Sequence, residues 1–305
     1  PVLNVSVTNT RIDKKAKGEY VLEIHTNLDI EKPAIELEGT LAWAKIGDYI
    51  YQSDTDPKYR LNFAMNPFGK ERSCNVTVKT KDGKVEKKVA LTQDYCLTDA
   101  QIWKICYDRM DGKNWKYGVT GTQEGFEDFY KHSLITKEDG LGNSYKFTTS
   151  WCLPEEAKGV LPEEIGDLCF VTSLTIISSS ISSPLPKTLV NIESLRSLEL
   201  TSGSGGKESL ITEEFPNWLK DCKNLQEFWA PGNHMTGCPK PWVANLRMCG
   251  FYHNDLDGEL EKCIWTASWF GSDGHLKTNK PHILVKKDWT PADGGVQSSD
   301  QLWED

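Results

Sequence analysis

The sequence lacks the long apolar runs and the basic excess that mark two broad classes of protein. No stretch approaches the roughly 18 consecutive apolar residues that a membrane-spanning helix needs. The 305 residues carry a formal net charge of −9, so nucleic acid and anionic membranes are poor partners. With 38% apolar and 26% charged residues the composition is nevertheless that of a folded protein, and the length predicts about two domains.

Signatures of common catalytic and metal sites are also missing. There is no Gly-x-Ser-x-Gly elbow, no His-Glu-x-x-His helix, no phosphate-binding loop and no Gly-x-Gly-x-x-Gly turn. His253 with Asp255 and Asp257 resembles a metal-ligand cluster, but the repeat pattern below explains both acids as solvated turn residues. We therefore predict no catalytic residue, no metal and no cofactor, and interpret the chain as a protein that is not an enzyme.

The nine cysteines include no Cys-x-x-Cys pair, which excludes zinc ribbons and thioredoxin-like redox motifs. Because the number is odd, at least one thiol stays unpaired in a monomer. We interpret most of them as buried free thiols, with one or two disulfides as the alternative. Eleven tryptophans predict that some are exposed, and exposed aromatic rings are common binding anchors.

Residues 159–260 contain a short motif that occurs four times. It pairs an apolar residue with proline at Leu161-Pro162, Leu185-Pro186, Phe215-Pro216 and Cys238-Pro239, with spacings of 24, 30 and 23 residues. Each pair precedes a run of apolar residues spaced as in Leu-x-x-Leu-x-Leu, beginning at Val171, Leu195, Leu225 and Leu246. This pattern resembles the leucine-rich repeat family, in the plant-type and bacterial variant with repeats near 24 residues.

The resemblance implies one short strand per repeat and a proline-containing turn across the back. A single repeat cannot bury its own apolar side, so Leu174, Leu198, Phe228 and Cys249 should line up as adjacent rungs. Asn233 and Asn254 should turn inward and bond to backbone groups that the bend leaves unpaired. Ser179 and Gly203 replace this asparagine in the first two repeats, which should be less regular. Residues 201–209 are rich in Gly and Ser and predict a flexible loop.

Residues 1–94 contain short β-rich runs and no helical periodicity. The runs are residues 3–7, 18–25, 59–65, 74–80 and 85–92, with a tight turn at 81–84. Several short strands separated by turn signals predict a β-sandwich.

The end of this block resembles the BACON family, a carbohydrate-associated domain of Bacteroidetes. The resemblance rests on Arg72-Ser73, a strand, a hairpin and the closing Thr92-Gln93, with Trp43 as an echo of the family's central tryptophan. It implies the family's fold. A plain spacer is the alternative to a binding domain.

Residues 97–112 predict a helix that begins after Thr98 and ends at Gly112. Its apolar face combines Ile102, Ile105, Cys106 and Met110. The helix resembles the N-terminal cap of bacterial leucine-rich repeat proteins. Residues 119–151 are expected to form an irregular insertion packed on the cap. Residues 263–270 are expected to close the far end of the array, and residues 283–285 to add a last strand.

The predicted architecture is multidomain. An all-β immunoglobulin-like sandwich at residues 1–95 precedes an α/β leucine-rich repeat solenoid with a helical N-terminal cap at residues 96–305. Within the second domain, residues 96–158 form the cap and insertion, 159–260 the repeats, and 261–305 the C-terminal cap and tail.

The strand residues that flank the buried ones point to the predicted concave surface, where equivalent positions form columns. One column is Thr175, Glu199, Trp229 and Gly250, the second is Ile177, Thr201, Pro231 and Tyr252, the third is Ser173, Ser197, Glu227 and Met248, and the outer one is Arg196, Gln226 and Arg247. The candidate ligand-binding residues are Trp229, Tyr252, Glu199, Glu227, Arg247, Met248 and His253. Alternatively, Trp229 and Tyr252 pack on each other or on the C-terminal cap.

These patterns favour a non-enzymatic interaction protein that binds a protein or glycan through the concave face of the repeats. A carbohydrate-binding module acting through the N-terminal sandwich is the alternative. The paired resemblance implies export by a gut-type Bacteroidetes bacterium, as a cell-surface or outer-membrane lipoprotein with a lipid anchor upstream of Pro1, or as a periplasmic protein.

Overall fold

A computed structural model describes residues 2–28, 30–37, 42–116, 118–138, 144–177, 181–182, 184–201, 210–237, 239–251 and 254–255, with the backbone alone for residues 30–34, 244 and 248. The predictions for Ser179, Gly203, Cys238, the 202–209 loop, Tyr252, His253, Asp257 and residues 261–305 lie outside the described residues. Within the described residues, no helix is long and apolar enough to span a membrane.

The chain divides into two compact units. The described parts of Pro1–Thr98 and Thr136–Lys146 form the first, and those of Asp99–Ile135 and Phe147–Asp305 form the second. The predicted boundary at residue 95 lies close to this division. The predicted cap segment 96–158 is split between the two units, because Thr136–Lys146 belongs to the first.

The first unit contains two four-stranded sheets. In chain order the strands are β1 (Leu3–Val7), β2 (Arg11–Ile12), β3 (Tyr20–Thr26), β4 (Ile30–Leu37), β5 (Ala44–Tyr51), β6 (Lys58–Phe63), β7 (Arg72–Thr80) and β8 (Glu86–Gln93). One sheet has the order β1-β3-β6-β5 and the other β2-β8-β7-β4. The five predicted runs correspond to β1, β3, β6, β7 and β8, whereas β2, β4 and β5 were not predicted.

Side chains from both sheets form one buried cluster in this unit. Leu22 and Leu61 come from the first sheet, and Val76 and Leu91 from the second, and all are 3% exposed or less. The period-two alternation of β3 places one face inward, as expected for a strand with one wet side. The predicted tight turn between β7 and β8 is confirmed, with Gly83 at a φ of 68° and its N–H bonded to the carbonyl of Thr80.

The second unit is built around a five-stranded parallel sheet. Its strands, in spatial order, are β11 (Ser150–Cys152), β13 (Ser173–Ile177), β15 (Ser197–Thr201), β16 (Glu227–Trp229) and β17 (Met248–Gly250). Two further pairs are β9 (Leu134–Glu138) with β10 (Ser144–Thr148), and β12 (Gly159–Val160) with β14 (Ile181–Ser182). Strands β9 and β10 lie across the division between the units.

A 3₁₀ helix precedes each of the four predicted repeat strands. These helices are Glu163–Asp167, Lys187–Asn191, Asn217–Asp221 and Pro241–Asn245. The first three begin directly after the repeated proline, and the fourth begins two residues after Pro239. The predicted division of each repeat into a strand and a proline-started turn is therefore confirmed for the described residues.

The register of the sheet is the one that the apolar spacing predicts. Leu174 pairs with Leu198, which pairs with Phe228, which pairs with Cys249. All four side chains are at most 1% exposed. Each strand therefore buries its central apolar residue against its neighbours, as stacked repeats require.

Both repeat asparagines turn inward as predicted. The Nδ2 of Asn233 donates to the carbonyls of Leu200 and Ala230, at 3.0 and 3.1 Å. The Nδ2 of Asn254 donates to the carbonyl of Ala230 at 2.8 Å, and its Oδ1 accepts from the N–H of Met235 at 3.1 Å. Each side chain thus satisfies buried backbone groups where the chain leaves its strand.

The parallel sheet begins earlier than predicted. Residues 119–151, predicted to form an irregular insertion, contain α2 (Gln123–Phe129) and most of β11. Trp151 pairs with Leu174 and is fully buried. A single large ring here fills the inward position of a three-residue strand, so the repeated apolar pattern is absent from the sequence.

The predicted cap helix is present as α1 (Asp99–Arg109). Two details differ from the prediction: Trp103 is fully buried on this helix, whereas Ile105 is only half-buried. The left-handed residue after the helix is Asp111, with a φ of 61°, and Gly112 instead begins a 3₁₀ helix at Gly112–Asn114.

Aromatic rings fill the interior of the cap. The rings of Trp115, Phe126, Phe129, Tyr130 and Trp151 have centroids 4.9–6.3 Å from that of Trp103. This cluster joins α1 and α2 to the first strand of the parallel sheet. The tryptophans of the cap are therefore core residues and not binding anchors.

Tyr130 also closes the outer edge of the parallel sheet. Its hydroxyl donates to the carbonyl of Cys152 and accepts from the N–H of the same residue, the latter at 2.8 Å. Because β11 is the edge strand of the sheet that the described residues form, none of their strands pairs with these peptide groups on that side. The tyrosine supplies the hydrogen bonds that a further strand would otherwise provide.

Adjacent acidic residues favour the start of a helical turn, but the pair Glu213-Glu214 does not begin one. Glu214 forms a parallel bridge with Thr236, and the next 3₁₀ helix starts only at Asn217. The carboxylate of Glu213 accepts a hydrogen bond of 2.8 Å from the N–H of Leu185, and burial raises its pKa. Glu163 and Glu164, by contrast, lie in the first turn of a 3₁₀ helix.

Cys74, Cys106, Cys222 and Cys249 are buried free thiols, as the sequence analysis interpreted most cysteines. Burial raises the pKa of Cys74 to about 11 and those of Cys106 and Cys222 to about 12. These thiols therefore stay protonated and unreactive at neutral pH.

Candidate functional site

The outward-pointing residues of β11, β13, β15, β16 and β17 form one surface, which we call the ladder face. Thr175 pairs with Glu199, Glu199 with Trp229, and Trp229 with Gly250. The same pairing places Ser173, Ser197, Glu227 and Met248 in a second column. Two of the four predicted columns, those that begin at Thr175 and Ser173, are therefore confirmed as rows of neighbouring residues on adjacent strands.

The indole ring of Trp229 lies against the backbone of Gly250. A Cβ atom built on Gly250 would lie 2.9 Å from Cε3 and Cζ3 of the ring, closer than real contacts allow. The absence of a side chain at Gly250 therefore leaves room for the ring, and it allows the ring to lie close to the backbone of β17. Trp229 remains half-buried, so part of its surface faces outward.

Glu227 and Arg247 form an ion pair beside Trp229, between Nη2 and Oε1. The guanidinium is 65% exposed and the carboxylate 27%. An ion pair with one partner this exposed contributes about 1 kcal/mol or less to stability. Its effect is mainly to hold two charged groups in a fixed arrangement next to an aromatic ring.

Glu199 lies on the strand beside Trp229 and differs from Glu227 in its partners. Its Oε2 accepts one long hydrogen bond, 3.4 Å from the hydroxyl of Thr175. Within the part of the chain that the structure describes, no cationic side chain forms an ion pair with it. This half-buried carboxylate next to an indole therefore differs from that of Glu227, which has an ion-pair partner among those residues.

The predicted outer column is also present. The N–H of Gln226 donates to the carbonyl of Arg196 at 2.8 Å, and that of Arg247 to the carbonyl of Gln226 at 2.7 Å. All three side chains are exposed. They line one side of the ladder face with two guanidinium groups and an amide.

Four of the seven predicted site residues come together on adjacent strands: Glu199, Glu227, Trp229 and Arg247. Met248 pairs with Glu227 in β17, but only its backbone is described. Tyr252 and His253 lie outside the described residues. The proposed contact between Trp229 and Tyr252 therefore stays a prediction.

Sequence reasoning missed two positions of the ladder face. Ser150 pairs with Ser173 and Cys152 with Thr175, which extends both columns by one strand. Trp151 precedes Leu174 by 23 residues, which is within the spacing of the later repeats. That interval was the available signal, although no apolar phrase accompanied it.

Asp255 has a partner that explains it without a metal. Its Oδ2 lies 2.8 Å from Nδ1 of His234. Among the described residues, no group of three or more His, Cys, Asp or Glu side chains could hold a metal ion. The described ladder face presents hydroxyl, carboxylate, guanidinium and indole groups, which are suited to non-covalent recognition.

Comparison with known proteins adds little to this description. No protein family and no curated protein matches the chain. Among solved structures, the leucine-rich repeat ectodomain of the receptor kinase SOBIR1 from Arabidopsis thaliana matches with a TM-score of 0.36 and 13% identity, over 50% of this chain and 80% of that chain. A structural match with so low a TM-score does not establish a shared fold or function. These comparisons do not support the resemblance to BACON domains or a Bacteroidetes source. The repeats resemble leucine-rich repeats in their strand register and in their inward-turned asparagines.

Proposed function

We propose that this chain is a non-enzymatic interaction protein that binds a protein or glycan ligand through the ladder face. The observation that carries the proposal is Trp229, held over the backbone of Gly250 beside the Glu227–Arg247 ion pair. A partly exposed tryptophan with neighbouring charged groups is the usual composition of a binding hot spot. Its ring offers a flat apolar surface to a side chain or a sugar, and the charges fix orientation.

The test uses the full chain on a glycan array and on a phage-displayed library of random dodecapeptides. We expect Trp229→Ala to weaken the binding of any selected ligand by about 10-fold or more, because a central aromatic anchor is lost. Tyr95→Ala is the matched control, since Tyr95 is 40% exposed and belongs to the first unit. Ligands that bind the Trp229 variant and the unchanged chain equally would contradict the proposal.

A second proposal concerns the first unit, for which we propose an immunoglobulin-like, BACON-type fold that binds carbohydrate. Strand β5, at the edge of its sheet, exposes 41% of Tyr49 and 57% of Tyr51. The Tyr49 ring lies 4.4 Å from that of Tyr59, and the two hydroxyls are 3.0 Å apart, which holds the outer ring in place. Exposed tyrosine rings can stack on sugar rings.

The glycan array separates this proposal from the first. Tyr51→Ala in the full chain should abolish glycan signals that Trp229→Ala leaves unchanged. Tyr95→Ala serves again as the control for loss of an exposed ring. An array on which no signal depends on Tyr51 would contradict carbohydrate binding by β5.

We further propose that the protein is exported and sits at the cell surface or outer membrane as a lipoprotein, or in the periplasm. The support is the paired resemblance of the two units to proteins of Bacteroidetes. The coding sequence upstream of Pro1 provides the test. A signal peptide ending in a lipid-modified cysteine is expected there, and an upstream sequence without any export signal would contradict the proposal.

A further inference from the structure

We propose that the ladder face binds one cationic side chain, a lysine or arginine of a peptide ligand, between Trp229 and Glu199. This inference rests on the proposed function, because it specifies what the same surface binds. It follows from the position of the two side chains, from the different partners of the two carboxylates and from the charge of the chain.

Trp229 and Glu199 are direct partners on neighbouring parallel strands. Equivalent positions on such strands lie about 4.8 Å apart and point to the same side of the sheet. One surface of the indole is taken by the backbone of Gly250. A cation that contacts the exposed part of the ring would therefore also reach the carboxylate of Glu199, combining a cation–π contact with an ion pair.

The two carboxylates of this surface are not equivalent. Glu227 is already paired with Arg247. Glu199 has a 3.4 Å hydrogen bond from Thr175, and no described cationic side chain pairs with it. Of the two, Glu199 is therefore the carboxylate that can accept a ligand cation without breaking an ion pair that the described residues form.

The charge of the surroundings favours a single cation over a basic run. The whole chain carries a net charge of −9, which attracts basic ligands over acidic ones. Arg196 is exposed and precedes Glu199 by three residues, so the Cα atoms of the two residues lie on the order of 10 Å apart along the strand. That distance is similar to the screening length at physiological salt, and a second ligand cation on that side would meet Arg196.

The experiment starts from dodecapeptides selected on the full chain from the random library. We expect Lys or Arg to be enriched at one position among the peptides whose binding depends on Trp229. Each such peptide is then synthesised with lysine and with acetyl-lysine at that position, which removes the charge and keeps most of the stem. Acetylation should weaken binding to the unchanged chain by about 10-fold.

Glu199→Gln should reduce this preference for lysine over acetyl-lysine to about 2-fold, since the ring contact alone remains. Glu124→Gln is the matched control, because Glu124 is exposed on α2 and its replacement changes the net charge equally. The control should keep the full preference. A Glu199 variant that also keeps the full preference overturns the inference.

The other outcomes separate this inference from the proposed function. Trp229-dependent ligands without a cation, whether peptides or glycans, overturn the cation site and leave the ladder face as a binding surface. A complete lack of ligands that depend on Trp229 overturns both.

Discussion

Arg72 and Gln93 face each other across β7 and β8, and Nε of Arg72 donates a hydrogen bond of 2.8 Å to Oε1 of Gln93. The guanidinium of Arg72 also lies 4.3 Å from the centre of the Trp43 ring. The Nε2 of Gln93 donates to the carbonyl of Ala64 at 2.9 Å. The residues that suggested a family resemblance are therefore partners in one hydrogen-bonded group, and their spacing reflects a structural requirement.

Replacing Gln93 with alanine should destabilise the first unit by about 2–3 kcal/mol. The change removes one donor each from the carbonyls of Asp13 and Ala64, and it removes the acceptor of the Nε of Arg72. Urea denaturation measures the loss. Lys87→Ala, an exposed position on the same strand, should change stability by less than about 0.5 kcal/mol. Equal effects of the two changes would contradict a structural role for Gln93.

Asn233→Ala should destabilise the second unit by about 2–4 kcal/mol. The buried amide donates to three carbonyls, and alanine removes this donor from those of Leu200 and Pro231, whereas the carbonyl of Ala230 keeps Asn254. Asn224→Ala is the matched control, because Asn224 is exposed and donates to a single carbonyl, that of Glu193, at 2.7 Å. Thermal unfolding of both variants makes the comparison, and an Asn224 variant as unstable as the Asn233 variant would refute the inward role.

Gly250→Ala should displace the indole of Trp229 without removing it. The new methyl group would occupy space now filled by the ring. We expect a shifted indole N–H resonance in NMR spectra and a loss of Trp229-dependent binding of about 10-fold, with the five-stranded sheet retained. Unchanged affinity would show that the position of the ring does not depend on this glycine.

Asp99 should make the stability of the second unit depend on pH. Burial raises the pKa of Asp99 to about 7, although its carboxylate accepts a hydrogen bond of 3.0 Å from the N–H of Thr148. The folded state therefore holds a proton that the unfolded chain, with a pKa of about 3.9, has released. The contribution of this group is fully present below about pH 4 and is lost as the pH rises through about 7.

Comparison with Asp99→Asn isolates this effect from other titrating groups. Asparagine stays neutral and keeps an oxygen that can accept from Thr148. The variant should gain stability relative to the unchanged chain between pH 4 and pH 7, and the difference should then level off. A difference that is independent of pH, measured by urea denaturation at several pH values, would contradict the assignment.

Much of the repeat array could be predicted because the spacing of its apolar residues and asparagines along the chain determines the structure of each repeat. The spacing of Leu174, Leu198, Phe228 and Cys249 sets the register, and Asn233 and Asn254 mark the bends. Strand β11 was missed because one tryptophan replaces its apolar pattern. Strand β5 was missed because its pairing with β6 shifts between Ile46 and Tyr51, which breaks the period-two alternation.

The candidate site was predictable in part for the same reason. Counting along the strands places Glu199, Glu227 and Trp229 side by side. The contact of Trp229 with the backbone of Gly250 and the pairing of Asp255 with His234 depend on how the chain approaches itself in space. Residue spacing carries no record of such contacts.

The hydroxyl of Tyr130 also limits how this protein can grow longer. Duplication of an internal repeat would leave β11 and Tyr130 in place, so arrays with different numbers of repeats can share the same first strand. A repeat added before β11 would have to displace the Tyr130 side chain from the peptide groups of Cys152 and disrupt the surrounding aromatic cluster. Lengthening by gene duplication is therefore directed towards positions after β11.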